Sequence, residues 1–177
     1  GKARTRYEFG CKTSIATTNE RCKGGQFVLG AMALPGNPYD GHSLAGQIDQ
    51  VARLTGTSVA RAYVDRGYRG HKSERDRLDI TISHTRGITS PTIRREMRRR
   101  SGIEPVIGHL KEDGHLERNH LAGAKGDAIN AILCAAGHHL RLLARWIRCL
   151  FALLLAIVLS RPPQNPVDYQ PASAPKS

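Results

Sequence analysis

Residues 128–159 constrain the fold more than any other stretch, because they are almost continuously helix-forming and mostly apolar. A helix of that composition has to be covered, by a sheet face or by a partner subunit. Gly137 is the point at which it is expected to divide. Its last part, residues 149–159, is an unbroken apolar run of eleven residues. A membrane span needs about 18–20 such residues, and Arg141, Arg145 and Arg148 prevent extension upstream. A buried helix is expected, with an interfacial segment as the second reading and no stable membrane span.

Before this helix the signals are mixed. Residues 7–19 carry β-branched and aromatic side chains and read as a strand. Residues 26–34 form a second apolar run around Phe27-Val28-Leu29, and the short polar link between the two runs predicts a hairpin. Pro35-Gly36-Asn37-Pro38 marks a turn. Residues 40–43 offer caps for a helix whose apolar spacing begins at Leu44 and continues through Ile48, Val51 and Ala52 to Gly56. Asp40 is expected to cap or turn there. Residues 59–64 and 78–82 read as short strands. The first of them ends in Asp65-Arg66-Gly67-Tyr68, a carboxylate at the end of a buried strand. That is where an α/β sheet exposes chemistry. An Asx-turn at the strand end also accounts for Asp65, and on pattern alone it is the commoner case.

Pro91 then suits the first residue of a basic helix carrying Arg94, Arg95, Arg98, Arg99 and Arg100. These cations suit phosphate contacts, and a solvated basic face accounts for them too. Glu104 follows, with Arg100 four residues before it and Lys111 seven after. On one continuous helix the three share a face. Pro105 and Gly102 interrupt that helix, and Ser101-x-x-Glu104 resembles a capping box, so two helical pieces are expected to meet near residues 101–105. Asp127 is expected to cap the long C-terminal helix.

The formal net charge of +12, from 27 Lys+Arg against 15 Asp+Glu, argues for a polyanionic partner, nucleic acid before others. The four cysteines, Cys11, Cys22, Cys134 and Cys149, show no zinc spacing and suit reduced thiols. His109, His115 and His120 match no ligand motif. With no apolar N-terminal leader visible, a cytoplasmic location is expected. Residues 161–177 hold five of the nine prolines and read as a disordered tail.

Several of these segments, taken together and in order, resemble the DDE transposases of bacterial insertion sequences. The match is to the subgroup with the signature Tyr-x2-Arg-x3-Glu-x6-Lys. Arg100, Glu104 and Lys111 fill three of its places at the right spacing, while Met97 stands at the Tyr place and cannot donate a hydrogen bond to phosphate. The stretch from Ala62 through Asp65 to Tyr68 looks like the segment carrying the family's second catalytic Asp. Tyr7 to Lys12 looks like the strand after the first, and Pro35 to His42 and Glu104 to Lys111 read as typical of the group. The resemblance covers residues 1–148. Residues 149–160 continue as an apolar helix, and residues 161–177 lie outside it.

The resemblance implies an α/β, ribonuclease-H-like mixed sheet flanked by helices, incomplete at the N-terminus, with a helical C-terminal part. It implies two Mg²⁺ (or Mn²⁺) ions held by three carboxylates, which activate a nucleophile and stabilise the leaving oxygen of an in-line displacement at phosphorus. Asp65 and Glu104 are then the catalytic, metal-binding acids. Arg94, Arg95, Arg98, Arg99, Arg100 and Lys111 contact DNA, the partner being the terminal inverted repeats of an insertion sequence, with a homo-oligomer allowed. No position corresponds to the family's first Asp, since Asp40 and Asp49 fall later. The chain is therefore expected to be a C-terminal piece of the catalytic domain, inactive alone. Two other classes fit the same residues: a non-catalytic DNA-binding or regulatory module, and a small membrane-associated protein built on residues 141–159.

Overall fold

The expected hairpin forms as β1 (Lys12–Thr17) and β2 (Val28–Leu34), paired antiparallel with Lys12 opposite Leu34. In the computed structural model, residues 10–20, 22, 25–70, 78–83 and 90–160 are described. Residues 7–9 of the expected first strand and the proline-rich tail, 161–177, lie outside them. The register shifts between Ala16 and Thr17, a bulge that re-aims the end of β1.

Helix α1 (Asp40–Thr55) starts a turn earlier than its apolar spacing suggests. Tyr39 is extended, and Asp40 is the first helical residue rather than a side-chain cap. Its charge suits the positive end of the helix dipole. Gly56, at φ 67°, ends α1 in the left-handed conformation that glycine adopts without strain. Helix α1 packs closely on the hairpin because β2 offers it Gly30. A Cβ there would lie 2.9 Å from Gln50 Oε1 and 3.1 Å from Val51 Cγ2. The closeness is used, for Gln50 Nε2 donates to the Ala31 carbonyl at 3.0 Å.

Strands β3 (Arg61–Val64) and β4 (Asp79–Ile82) pair in parallel, Arg61 opposite Asp79 and Val64 opposite Ile82. Parallel neighbours need a crossover, and this one opens with a single 3-10 turn, Arg66–Tyr68. Ala62 and Val64 face α1, where Leu44, Ile48 and Val64 form a small core with Leu78, Ile80 and Ile82 around it. The chain is thus mixed α/β. Among the described residues its strands make two two-stranded sheets, not the one mixed sheet that the resemblance implies.

Helix α2 (Pro91–Arg100) begins at the expected proline and buries no residue. Helix α3 (Ile103–Glu112) follows after only Ser101-Gly102. The two pieces do meet where expected, so Arg100 does not share a helix with Glu104 and Lys111. The capping box does not form. Ser101 Oγ donates back to the Arg98 carbonyl at 2.8 Å, and α3 has no side-chain cap.

Helix α4 (Gly123–Leu159) is a continuous 37-residue helix, about 56 Å long at 1.5 Å per residue. It runs through Gly137 without dividing, because a lone glycine costs only about 1 kcal/mol and α4 is packed on both sides of it. Asp127 lies inside α4, not at its cap, and accepts from Asn119 Nδ2 at 2.7 Å. The first half of α4 is core material. Ala131, Cys134 and Ala135 meet Val106 and Leu110 of α3 and Val28 and Ala31 of β2. The second half is not. Leu150 to Leu159 are exposed on every side, from 49% at Leu154 to 73% at Leu159 among the large apolar residues. The expectation of a buried helix at residues 149–159 is therefore corrected: no described element reaches them. Composition alone marks α4 as long and apolar enough to cross a membrane.

Candidate nucleic-acid interface

The site is built where α2 lies across β3. Side chains on a strand alternate, so residues 61, 63 and 65 point one way while Ala62 and Val64 point into the core. Residues 96 and 100 share one face of α2. The two rows meet. Arg61 Nη1 pairs with Glu96 Oε2 at 3.2 Å, and the Tyr63 hydroxyl donates to the same oxygen. One helical turn on, Arg100 Nη2 pairs with Asp65 Oδ2 at 3.5 Å. Asn19 Nδ2 donates to the Glu96 carbonyl at 3.0 Å, which ties the end of the hairpin to the same turn of α2. The Tyr63 hydrogen bond, helped by Arg61, holds the Glu96 carboxyl below the usual carboxylate range. Burial first, and Glu96 second, push the Tyr63 phenol up.

Asp65 stands at the end of β3, as the sequence suggests. Its Oδ1 accepts from the Arg66 backbone N–H at 2.7 Å and from Ser83 Oγ at 2.9 Å. The Asx-type capping weighed for this residue is therefore real, and Arg100 adds a cation to it. Beside this corner sits Asp40. A Cβ on Gly67 would lie 3.4 Å from Asp40 Cγ, so Gly67 leaves room for that carboxylate. Lys12 Nζ pairs with Asp40 Oδ1 at 2.5 Å and donates to the Pro38 carbonyl at 3.0 Å.

Glu104 occupies the first turn of α3 and is exposed, as is Lys111 in its last turn. Among the described residues the Glu104 carboxylate makes no ion pair, so the expected grouping of Arg100, Glu104 and Lys111 is replaced by Arg100 with Asp65. Arg94, Arg95 and Arg98 are exposed on α2, and Arg99 is half-buried. His109, left without a role in the sequence, pairs with Asp113 at 2.8 Å.

The two ions that the resemblance implies would need several carboxylates gathered at one point. Among the described residues no three His, Cys, Asp or Glu side chains come together to hold a metal. Asp65 is already engaged by a guanidinium, a backbone N–H and a hydroxyl. These side chains do not fit a carboxylate-bridged pair of divalent ions, which needs several oxygens free to face the metal.

Sequence reasoning missed the Arg61–Tyr63–Glu96 cluster. Its signal was the polar-apolar alternation of residues 61–65 set against the four-residue spacing of 96 and 100, which only a strand-on-helix docking connects. Compared with models of known families, with curated proteins and with solved structures, the chain matches none.

Proposed function

We propose that this chain is a DNA-binding part of a DDE-type transposase catalytic domain, of ribonuclease-H-like ancestry, that does not cut DNA by itself. The observation that supports it best is the Arg100–Asp65 pair at 3.5 Å. The family motifs select both residues independently, from distant stretches of sequence, and they touch. A net charge of +12 and the arginines of α2 supply the attraction for a phosphate backbone. Arg100 serves as a positioning cation at the strand end, and Arg94, Arg95, Arg98 and Lys111 hold backbone phosphates.

The test is titration of the purified chain into labelled duplex DNA carrying terminal inverted repeats, with a nicking assay in Mg²⁺. Salt-dependent binding without nicking is the expected outcome. Failure to bind at low salt would sink the reading. Nicking that Asp65→Ala abolishes would overturn the claim of inactivity.

A second reading, a DNA-binding module with no catalytic ancestry, is favoured by the turn-capping hydrogen bonds of Asp65. Calorimetric titration with Mg²⁺ or Mn²⁺ separates the two. Weak metal binding that depends on both Asp65 and Glu104 supports the transposase reading, and its absence supports the module.

A further inference from the structure

A cavity of about 830 Å³ opens between α2, α3, α4 and the end of the β1–β2 link. That is within the range of about 300–1,000 Å³ typical of small-molecule sites. Its closed side is built from Val106, His138 and Leu142, all buried. His138 is fixed there by its contact with the Gln26 carbonyl at 3.0 Å. The rest of the lining is cationic. Arg95, Arg98 and Arg99 come from one face of α2, and Arg141 and Arg145 from one face of α4. Among the described lining residues only Glu20 and Asp113 oppose them, and the Asp113 carboxylate is taken by His109 at 2.8 Å. Among the described residues no ion pair involves Arg95, Arg98 or Arg99.

Arg141 singles the cavity out from a generally basic surface. Its Nη1 donates to the Asp113 carbonyl at 3.4 Å, but its Nη2 is buried without a hydrogen-bond partner. A buried guanidinium nitrogen without an acceptor is costly, because it has lost its hydration with nothing in exchange. Turning the guanidinium toward an anion in the cavity removes that cost. Arginines supplied to one cavity by two helices suit the tetrahedral oxygens of phosphate, which take two-pronged hydrogen bonds from guanidinium groups.

We infer that this cavity is a binding site for a phosphate-bearing ligand of nucleotide size, with the phosphate seated among the lining arginines Arg98, Arg99 and Arg141. The site shares arginines with the proposed DNA surface but stands on the cavity and on Arg141. It is separate from the Asp65–Arg100 corner, which contributes no lining residue. The ligand is either a free nucleotide or one nucleotide of a strand, and the chemistry recognised is the same.

Inorganic phosphate is the probe, followed by calorimetry on the full chain. Arg141→Met is expected to weaken binding about tenfold to a hundredfold, the loss expected for a charge-assisted hydrogen bond. Arg98→Gln, at an exposed position that leaves folding intact, should weaken it in the same direction. Arg53→Gln, a charge removed from α1 and away from the cavity, should leave it unchanged. The inference is overturned if the wild-type chain binds no phosphate, if neither cavity variant weakens binding, or if Arg53→Gln weakens it equally. Competition by a short single-stranded oligonucleotide would assign the seat to a strand. Undiminished phosphate binding beside bound oligonucleotide would assign it to a free ligand. A chain that binds phosphate through Arg141 but ignores duplex DNA sinks the transposase reading alone.

Discussion

Replacing Asp65 by asparagine separates the structural and electrostatic roles of the strand-end corner. Asparagine keeps the Oδ1 that accepts from the Arg66 N–H at 2.7 Å and Ser83 Oγ at 2.9 Å, so the turn is retained. Among the described residues, what is lost is the pair with Arg100 at 3.5 Å, in which the Asp65 side chain is 63% exposed. Exposed pairs contribute about 0–1 kcal/mol, so urea denaturation should show a stability loss of less than about 1 kcal/mol. The effect on DNA is larger and opposite in sign. Substitution removes one negative charge from a chain of net +12 and frees the Arg100 guanidinium. One added phosphate contact steepens the dependence of log K on log salt by about 0.9, which at 0.1 M salt tightens binding about eightfold. Fluorescence anisotropy with a labelled duplex over a salt series measures both quantities. Unchanged slope and affinity in a folded Asp65→Asn chain would refute the reasoning that Arg100, once released from Asp65, reaches a DNA phosphate.

Three further outcomes follow from the packing. Leu110 is fully buried between β2, α3 and α4, so Leu110→Ala should cost about 3–4 kcal/mol from lost transfer energy and the cavity left behind, read from denaturant midpoints. A loss under about 1 kcal/mol would show that α3 is not held as described. His139 accepts the Val28 N–H on Nε2 at 3.0 Å, and burial, then His138, lowers its pKa below the ordinary value of about 6.5. The folded chain then binds fewer protons than the unfolded one, so stability is full above about pH 6.5 and falls as pH drops below it. His139→Gln should flatten that part of the stability profile, and an unchanged profile would remove His139 as its source. Ending the chain at Arg148 should leave the melting temperature within a few degrees, because Leu150 to Leu159 belong to neither core. A larger fall would mean that the distal helix contributes to folding.

Much of the element order was legible because it rests on local chemistry. The hairpin, the helix closed by Gly56, the strand before Asp65 and the proline-started basic helix each carry their own signal. The errors lie where a local signal competes with a distant partner. Asp127 looks like a cap, but Asn119 supplies its hydrogen bond from outside the helix. Ser101 looks like half of a capping box, but the Arg98 carbonyl takes its hydroxyl proton. Residues 149–159 look like core because apolar composition records a need for cover, not whether this chain provides it.

Motif spacing and the observed packing give Arg100 different company. Spacing placed Arg100 on one face with Glu104 and Lys111, as on a single helix. The break at Ser101-Gly102 lets α2 take its own direction, which the Arg61–Tyr63–Glu96 cluster then fixes. With Glu96 and Arg100 turned to the strand, residues 95, 98 and 99 are carried to another face of the same helix. One face of α2 therefore has its charge matched by β3, and the other stays cationic over the cavity. Reversing the Glu96 charge would break both assignments at once. A Glu96→Lys chain repels Arg61, releases α2 from the strand and scatters the cavity arginines. It should therefore lose phosphate binding without any change in a lining residue, whereas Arg61→Glu combined with Glu96→Lys should restore part of it. A double variant no better than Glu96→Lys alone would show that the cluster does not orient the helix.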